Sequence, residues 1–141
     1  MNKYLIGSKK HGCLIDNEQQ VIIYYDLLSN LERLKGKKQK QIFYFKDIQE
    51  CLVTYGIQDF FRSSTITITL TIKLKNQTSV DATIFFNNTT RDELISFIQV
   101  LKKSSLVIKD PYHIFNQIET SQKTLWDIIS SIEKQRLENR K

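Results

Sequence analysis

The side chains best suited to bind something lie close together in one stretch. Arg33, Lys35, Lys37, Lys38 and Lys40 put five cations within eight residues, with Gly36 among them. Cations at that density attract phosphate, on lipid headgroups or on nucleic acid. The competing reading is a solvated turn whose lysines discourage edge-to-edge strand pairing. A second basic spot, Lys9-Lys10-His11, reads as a polar turn.

Catalytic chemistry finds little to work with. His11 and His113 are the two histidines, one in a turn and one beside Pro111. No H-E-x-x-H, G-x-S-x-G, P-loop or G-x-G-x-x-G pattern occurs. Asp16, Asp47, Asp59 and Asp81 are scattered over turns and an exposed strand position. Cys13 and Cys51 lack C-x-x-C spacing, and two thiols alone do not make a metal site. Each sits inside an expected strand, next to a leucine, so both are expected to be buried free thiols. The chain is therefore expected to be no enzyme, with no cofactor and no metal.

Two apolar features could serve recognition. Leu125, Ile128, Ile129 and Ile132 form a helical stripe, with Trp126 beside it. That stripe either packs on its own domain or mediates self-association. Phe60 and Phe61 lie in an expected connection and could anchor a partner. Phe43, Tyr44 and Phe45 are consecutive, which predicts a central strand apolar on both faces rather than a platform for stacking bases.

The elements that must position these residues follow from periodicity. From Thr65 to Lys75, Ile66, Ile68, Leu70, Ile72 and Leu74 alternate with threonines and lysine. Strict period two with β-branched residues means a strand with one buried face. Ser79 to Phe86 repeats the pattern with Val80, Ala82, Ile84 and Phe86. A three-residue loop at Asn76-Gln77-Thr78 would pair Leu74 with Val80 and keep both apolar sets on one side. Thr90 to Glu93 then reads as a capping box. Leu94, Ile95, Phe97, Ile98 and Leu101 predict a helix over residues 91–104.

Upstream, Gln41–Phe45 and Glu50–Tyr55 read as strands, with Gly56 ending the second and residues 57–63 as a connection. Tyr4–Gly7, Cys13–Asp16 and Gln20–Tyr25 read as short strands. Residues 27–35 fit either a helix through Leu27, Leu28, Leu31 and Leu34 or a strand. Downstream, Asp110-Pro111 marks a helix start with proline at the first helical position, giving a helix over about 111–118. A further helix covers about 121–136, and the polar residues after it are expected to fray.

Composition sets the frame. A chain of 141 residues with one proline and four glycines is expected to fold as a single unit without a long linker. The expected division is a β domain at 1–105 and a helical extension at 106–141, packed on it or used for association. The net charge of +6 is carried mostly by lysine and suits an anionic partner without demanding one. No apolar run approaches the length of a membrane span. The apolar run near the start, four residues long, is too short for a signal peptide, so the expected compartment is the cytoplasm.

This order of short strands, a final hairpin and a capped helix resembles the pleckstrin-homology-like (PH-like) superfold. The segment IFYFKDIQECLV, residues 42–53, is similar to the strand, acidic-Ile turn and strand of small bacterial PH-like proteins. The resemblance covers residues 1 to 104. It implies an α+β, mainly β fold: an antiparallel β-sandwich or barrel closed by the helix at 91–104. Many eukaryotic PH domains carry a tryptophan in that helix; here Trp126 lies later. Lipid-binding members hold phosphate with a spaced basic pattern ending in arginine in the first strand loop, and Lys9-Lys10-His11 lacks the arginine. One fold hosts many functions, so the expected role comes from the surface rather than the likeness: a non-catalytic protein-interaction or scaffolding module, with homo-oligomerisation through the late helices as one form. Peripheral attachment to anionic membrane through residues 33–40 is the alternative, and nucleic-acid binding there is a third.

Overall fold

The computed structural model describes residues 2–26, 28, 30–36, 38–60, 63–85 and 91–139. Lys37, Phe61 and the Thr90 cap lie outside these, as do Leu27 and Phe86. The described residues form an α+β fold, with two four-stranded sheets and four helices. Among the described residues no strand ladder joins the sheets into a closed barrel.

The first sheet is an antiparallel meander. β1 (Lys3–Gly7), β2 (Gly12–Asp16), β3 (Val21–Tyr25) and β4 (Lys40–Tyr44) pair in sequence order. Alternation sends Ile6, Cys13, Ile15, Ile22, Tyr24 and Phe43 inward, where they are buried. The tight β1–β2 turn requires glycine. Gly7 has φ +82°, and a Cβ on Gly12 would lie 2.4 Å from the Ile6 carbonyl oxygen.

After a 3-10 turn at Phe45–Asp47 comes the second sheet, in the order β7-β6-β5-β8. β5 (Ile48–Phe60) and β6 (Ser63–Leu74) form a long hairpin, paired from Ile48–Leu74 out to Phe60–Ser63. Gly56 therefore does not end the strand, contrary to expectation, and 57–60 continue it. The glycine admits close approach of the partner strand: a Cβ there would sit 3.1 Å from Thr67 Oγ1. β7 (Ser79–Phe85) pairs with β6 only from Thr67 to Lys73, so the outer part of the hairpin is two strands wide among the described residues.

The β6–β7 register also differs from expectation. Ile72 faces Val80, Leu70 faces Ala82 and Ile68 faces Ile84. The turn comes one residue earlier, closed by the Leu74 N–H donating to the Thr78 carbonyl at 2.8 Å, with Gln77 at φ 75°. Moving a three-residue loop by one position slides the pairing by two. Two is the period of a strand, so the same face stays buried.

The stretch at 27–35 holds a short helix, α1 (Asn30–Leu34). α2 (Arg91–Lys103) buries Leu94, Phe97, Ile98, Val100 and Leu101 and packs on β1, β2 and α3. β8 (Ile108–Lys109), which the alternation pattern does not announce, pairs in parallel with Cys51–Leu52 of β5. Lys109 on β8 and Lys73 on β6 both approach the Glu50 carboxylate of β5, at 3.1 and 3.8 Å.

α3 (Ile114–Thr120) starts later than the proline position suggested. Residues 111–113 form a turn, and the Asp110 carboxylate reaches across it to accept from the Ile114 and Phe115 N–H groups, each at 2.8 Å. α4 (Leu125–Asn139) also begins later than expected, where the Thr124 hydroxyl caps the Asp127 N–H at 3.1 Å. The helix continues through its polar stretch as far as Asn139, and part of that stretch is anchored. The Tyr55 hydroxyl donates to Glu133, Arg136 donates to the Tyr55 oxygen at 3.0 Å, and the Arg136 guanidinium lies 5.6 Å from the centre of the Tyr112 ring. One buried cluster joins both sheets with α2, α3 and α4.

Candidate anion-binding end of the first sheet

A four-stranded meander puts its first and third connections at the same end. The rungs Gly7–Gly12, Gly12–Tyr25 and Tyr25–Lys40 form one row across that end. The β1–β2 turn, carrying Lys9, Lys10 and His11, thus lies beside the 26–39 connection, which carries Arg33, Lys35 and Lys38. A hydrogen bond joins the two segments: Gln39 Nε2 donates to the Lys10 carbonyl at 3.2 Å. Lys9, Lys10, Arg33, Lys35, Lys38 and Lys40 are all exposed. Two basic segments distant in sequence therefore form one basic end, a juxtaposition the residue pattern alone does not reveal.

The connection is a built excursion. Its base is closed by the Asp26 N–H donating to the Gln39 carbonyl at 2.7 Å. Leu28 is buried, apart from the main core. α1 ends on Gly36, whose φ of +82° suits the left-handed turn after a helix, and the Gly36 N–H donates to the Arg33 carbonyl at 3.1 Å. Asp26 and Glu32 are the described carboxylates of this excursion, against the six cations. His11 packs edge-on to Tyr24 at 6.5 Å, and burial, opposed by the nearby Asp26 charge, holds its imidazole below its ordinary pKa.

Apolar side chains project from the same region. On α1, Leu31 is 62% exposed and Leu34 is 84% exposed, so this helix turns its leucines outward. Ile42 and Tyr44 on β4 are also about half exposed, but that strand runs away from the basic end, and Tyr44, with Lys46 Nζ 5.9 Å from its ring centre, lies opposite Val21 at the far end of the sheet. Of the eight exposed large hydrophobics among the described residues, Leu34 and Leu31 are the most exposed, and both belong to α1. β4 is an edge strand, not the central strand expected from its three consecutive aromatics. Only Phe43 and Phe45 of that trio are buried.

The other candidates sit elsewhere. Leu125, Ile128, Ile129 and Ile132 are buried in the common core, which leaves Trp126 as the exposed member of that set. No group of three or more His, Cys, Asp or Glu capable of holding a metal occurs among the described residues. None of the helices is long and apolar enough to cross a membrane, again among the described residues.

Cys13 and Cys51 lie in the core, fully buried. Burial pushes both thiols up to about 12, aided at Cys13 by the Cys51 thiol and at Cys51 by Glu50. At pH 8 that leaves roughly one thiolate in ten thousand, and no access for a reagent. We expect the native chain to be silent to an aromatic disulfide reagent and to release two equivalents once unfolded. Rapid reaction of the native chain would show that the sheets open readily. Tyr55 is likewise held above its ordinary pKa, by burial first and then by Glu133, and so stays a proton donor in the α4 clamp.

No protein-family model matches the chain, and no curated protein or solved structure proves similar to it.

Proposed function

We propose that this chain is a non-catalytic binding module of PH-like architecture that engages an anionic partner at the basic end of its first sheet. Support for the architecture is the order of four strands, three strands and then α2, with α2 lying on β1 and β2. The observation that carries the binding reading is convergence: Lys9 and Lys10 meet Arg33, Lys35, Lys38 and Lys40 at one end, held together by the Gln39–Lys10 bond. Fixed, clustered charge raises the local concentration of an oppositely charged surface, and neutralising each contact releases counterions. Self-association through the 125–132 stripe is the weaker reading, because that stripe is committed to the core.

The test compares two charge reversals of equal size. One variant carries Arg33→Glu, Lys35→Glu, Lys38→Glu and Lys40→Glu. The other carries Lys75→Glu, Lys103→Glu, Lys123→Glu and Lys134→Glu, all exposed and outside the cluster. Binding to phosphatidylserine-containing vesicles and to a soluble sulfated polysaccharide is measured against salt. We expect the cluster variant to lose about tenfold or more in affinity while the other keeps most of it. Equal losses would reduce the effect to net charge, and no binding by the parent chain to either anion would remove the proposal.

A further inference from the structure

We infer that the anionic partner is a lipid bilayer, entered by Leu31 and Leu34 of α1. The inference rests on the anion-binding reading above and adds what charge alone does not explain. A site built for phosphate alone has no use for two leucines at its outermost turn, where each leaves apolar surface in water. Here they stand three positions apart on a short helix, so they share a side and project together.

Arg33 and Lys35 interleave with them, and Lys38 and Lys40 follow in the returning chain. A bilayer surface has the matching layered order, with anionic headgroups outside and acyl chains a few ångströms beneath. Lysine and arginine suit that boundary because their long stems lie along apolar material while the charge stays at headgroup level.

The local build favours insertion over capture of a polypeptide. The two leucines rise from an excursion whose base is sealed by the Asp26–Gln39 bond and whose helix ends at Gly36. A projecting tip with 62% and 84% exposed leucines penetrates a soft surface, whereas a protein partner would need a matching groove. Nucleic acid, for its part, offers aliphatic side chains no acyl layer to enter.

The experiment places a reporter at the tip of the full chain. Trp126→Phe removes the native indole, which lies half exposed on α4, and Leu34→Trp introduces one on α1. On phosphatidylserine-containing vesicles the emission of the introduced indole should shift to the blue and be quenched by lipids brominated along their chains. With the soluble sulfated polysaccharide it should do neither. In the Trp-containing parent, Leu31→Ser with Leu34→Ser should weaken vesicle binding about tenfold or more and leave polysaccharide binding intact.

If the indole stays in water on the vesicles and the serine pair binds them like the parent, while charge reversal still abolishes binding, insertion is overturned and the anion-binding reading stands. If charge reversal also changes nothing, both fall.

Discussion

A chain cut after Ser105 is expected not to fold. The helices beyond that point supply Ile114, Phe115, Ile118, Leu125, Ile128, Ile129 and Ile132 to the common core, each nearly or fully buried. Burying an aliphatic or aromatic side chain is worth about 1.5–3 kcal/mol, so seven of them contribute about 10–20 kcal/mol. The whole margin of a domain is about 5–15 kcal/mol. The cut also removes β8 from the edge of the second sheet and Arg136 from Tyr55. Circular dichroism should show loss of ordered structure, and light scattering should show aggregates driven by the uncovered face of β5 and α2. A soluble, folded, monomeric 1–105 would show that the late helices are an accessory rather than part of the core.

The second large effect sets two aromatic residues against each other. Phe97 on α2 is fully buried, whereas Trp126 on α4 is half exposed. Phe97→Ala should cost about 3–5 kcal/mol, because the cavity cannot close between the helix and the strands of the first sheet. In thermal unfolding that corresponds to a fall of roughly 10–15 °C. Trp126→Ala removes the larger side chain yet should cost about 0.5 kcal/mol, since much of its surface already meets water. Equal losses at the two positions would mean that Trp126 is buried rather than half exposed on α4.

Most of the elements were legible because alternation and helical stripes are written in residue types. The β6–β7 pair shows where that legibility stops. Pairing Leu74 with Val80 and pairing Ile72 with Val80 bury the same faces, so hydrophobicity cannot choose between them. The turn chooses, through Gln77 adopting a left-handed backbone that nothing in the pattern required. Gly56 misled for a related reason: its role is set by Thr67 across the hairpin, a neighbour eleven positions away.

The candidate site was half legible. The density of cations at 33–40 is visible in the sequence, and the turn at 9–11 is visible as well. That they share an end is a property of meander topology, and the registers of all four strands are needed to see it. The exposed leucines of α1 were hidden for another reason. A run such as Leu28, Leu31 and Leu34 gives a helical face but not the direction in which it points. Leu28 turns in, and the other two turn out. The stripe on α4 carries the same ambiguity with the opposite outcome.

The uneven width of the second sheet divides its longest hairpin into parts of different local stability. Around Cys51–Val53, β5 is flanked by β6 and by β8 and lies against the core, so its hydrogen bonds break only when much of the domain opens. From Ile57 to Phe60 the strand is held by β6 alone among the described residues, and Ile57 is 41% exposed. Ile66, opposite Ile57 on β6, still belongs to the buried cluster, so the inner edge of this segment is anchored in the core. Among the described residues the hairpin thus joins a base bordered by further strands to a stretch bordered by none, and the boundary between the two falls at Gly56, where the pairing of β7 with β6 stops at Thr67.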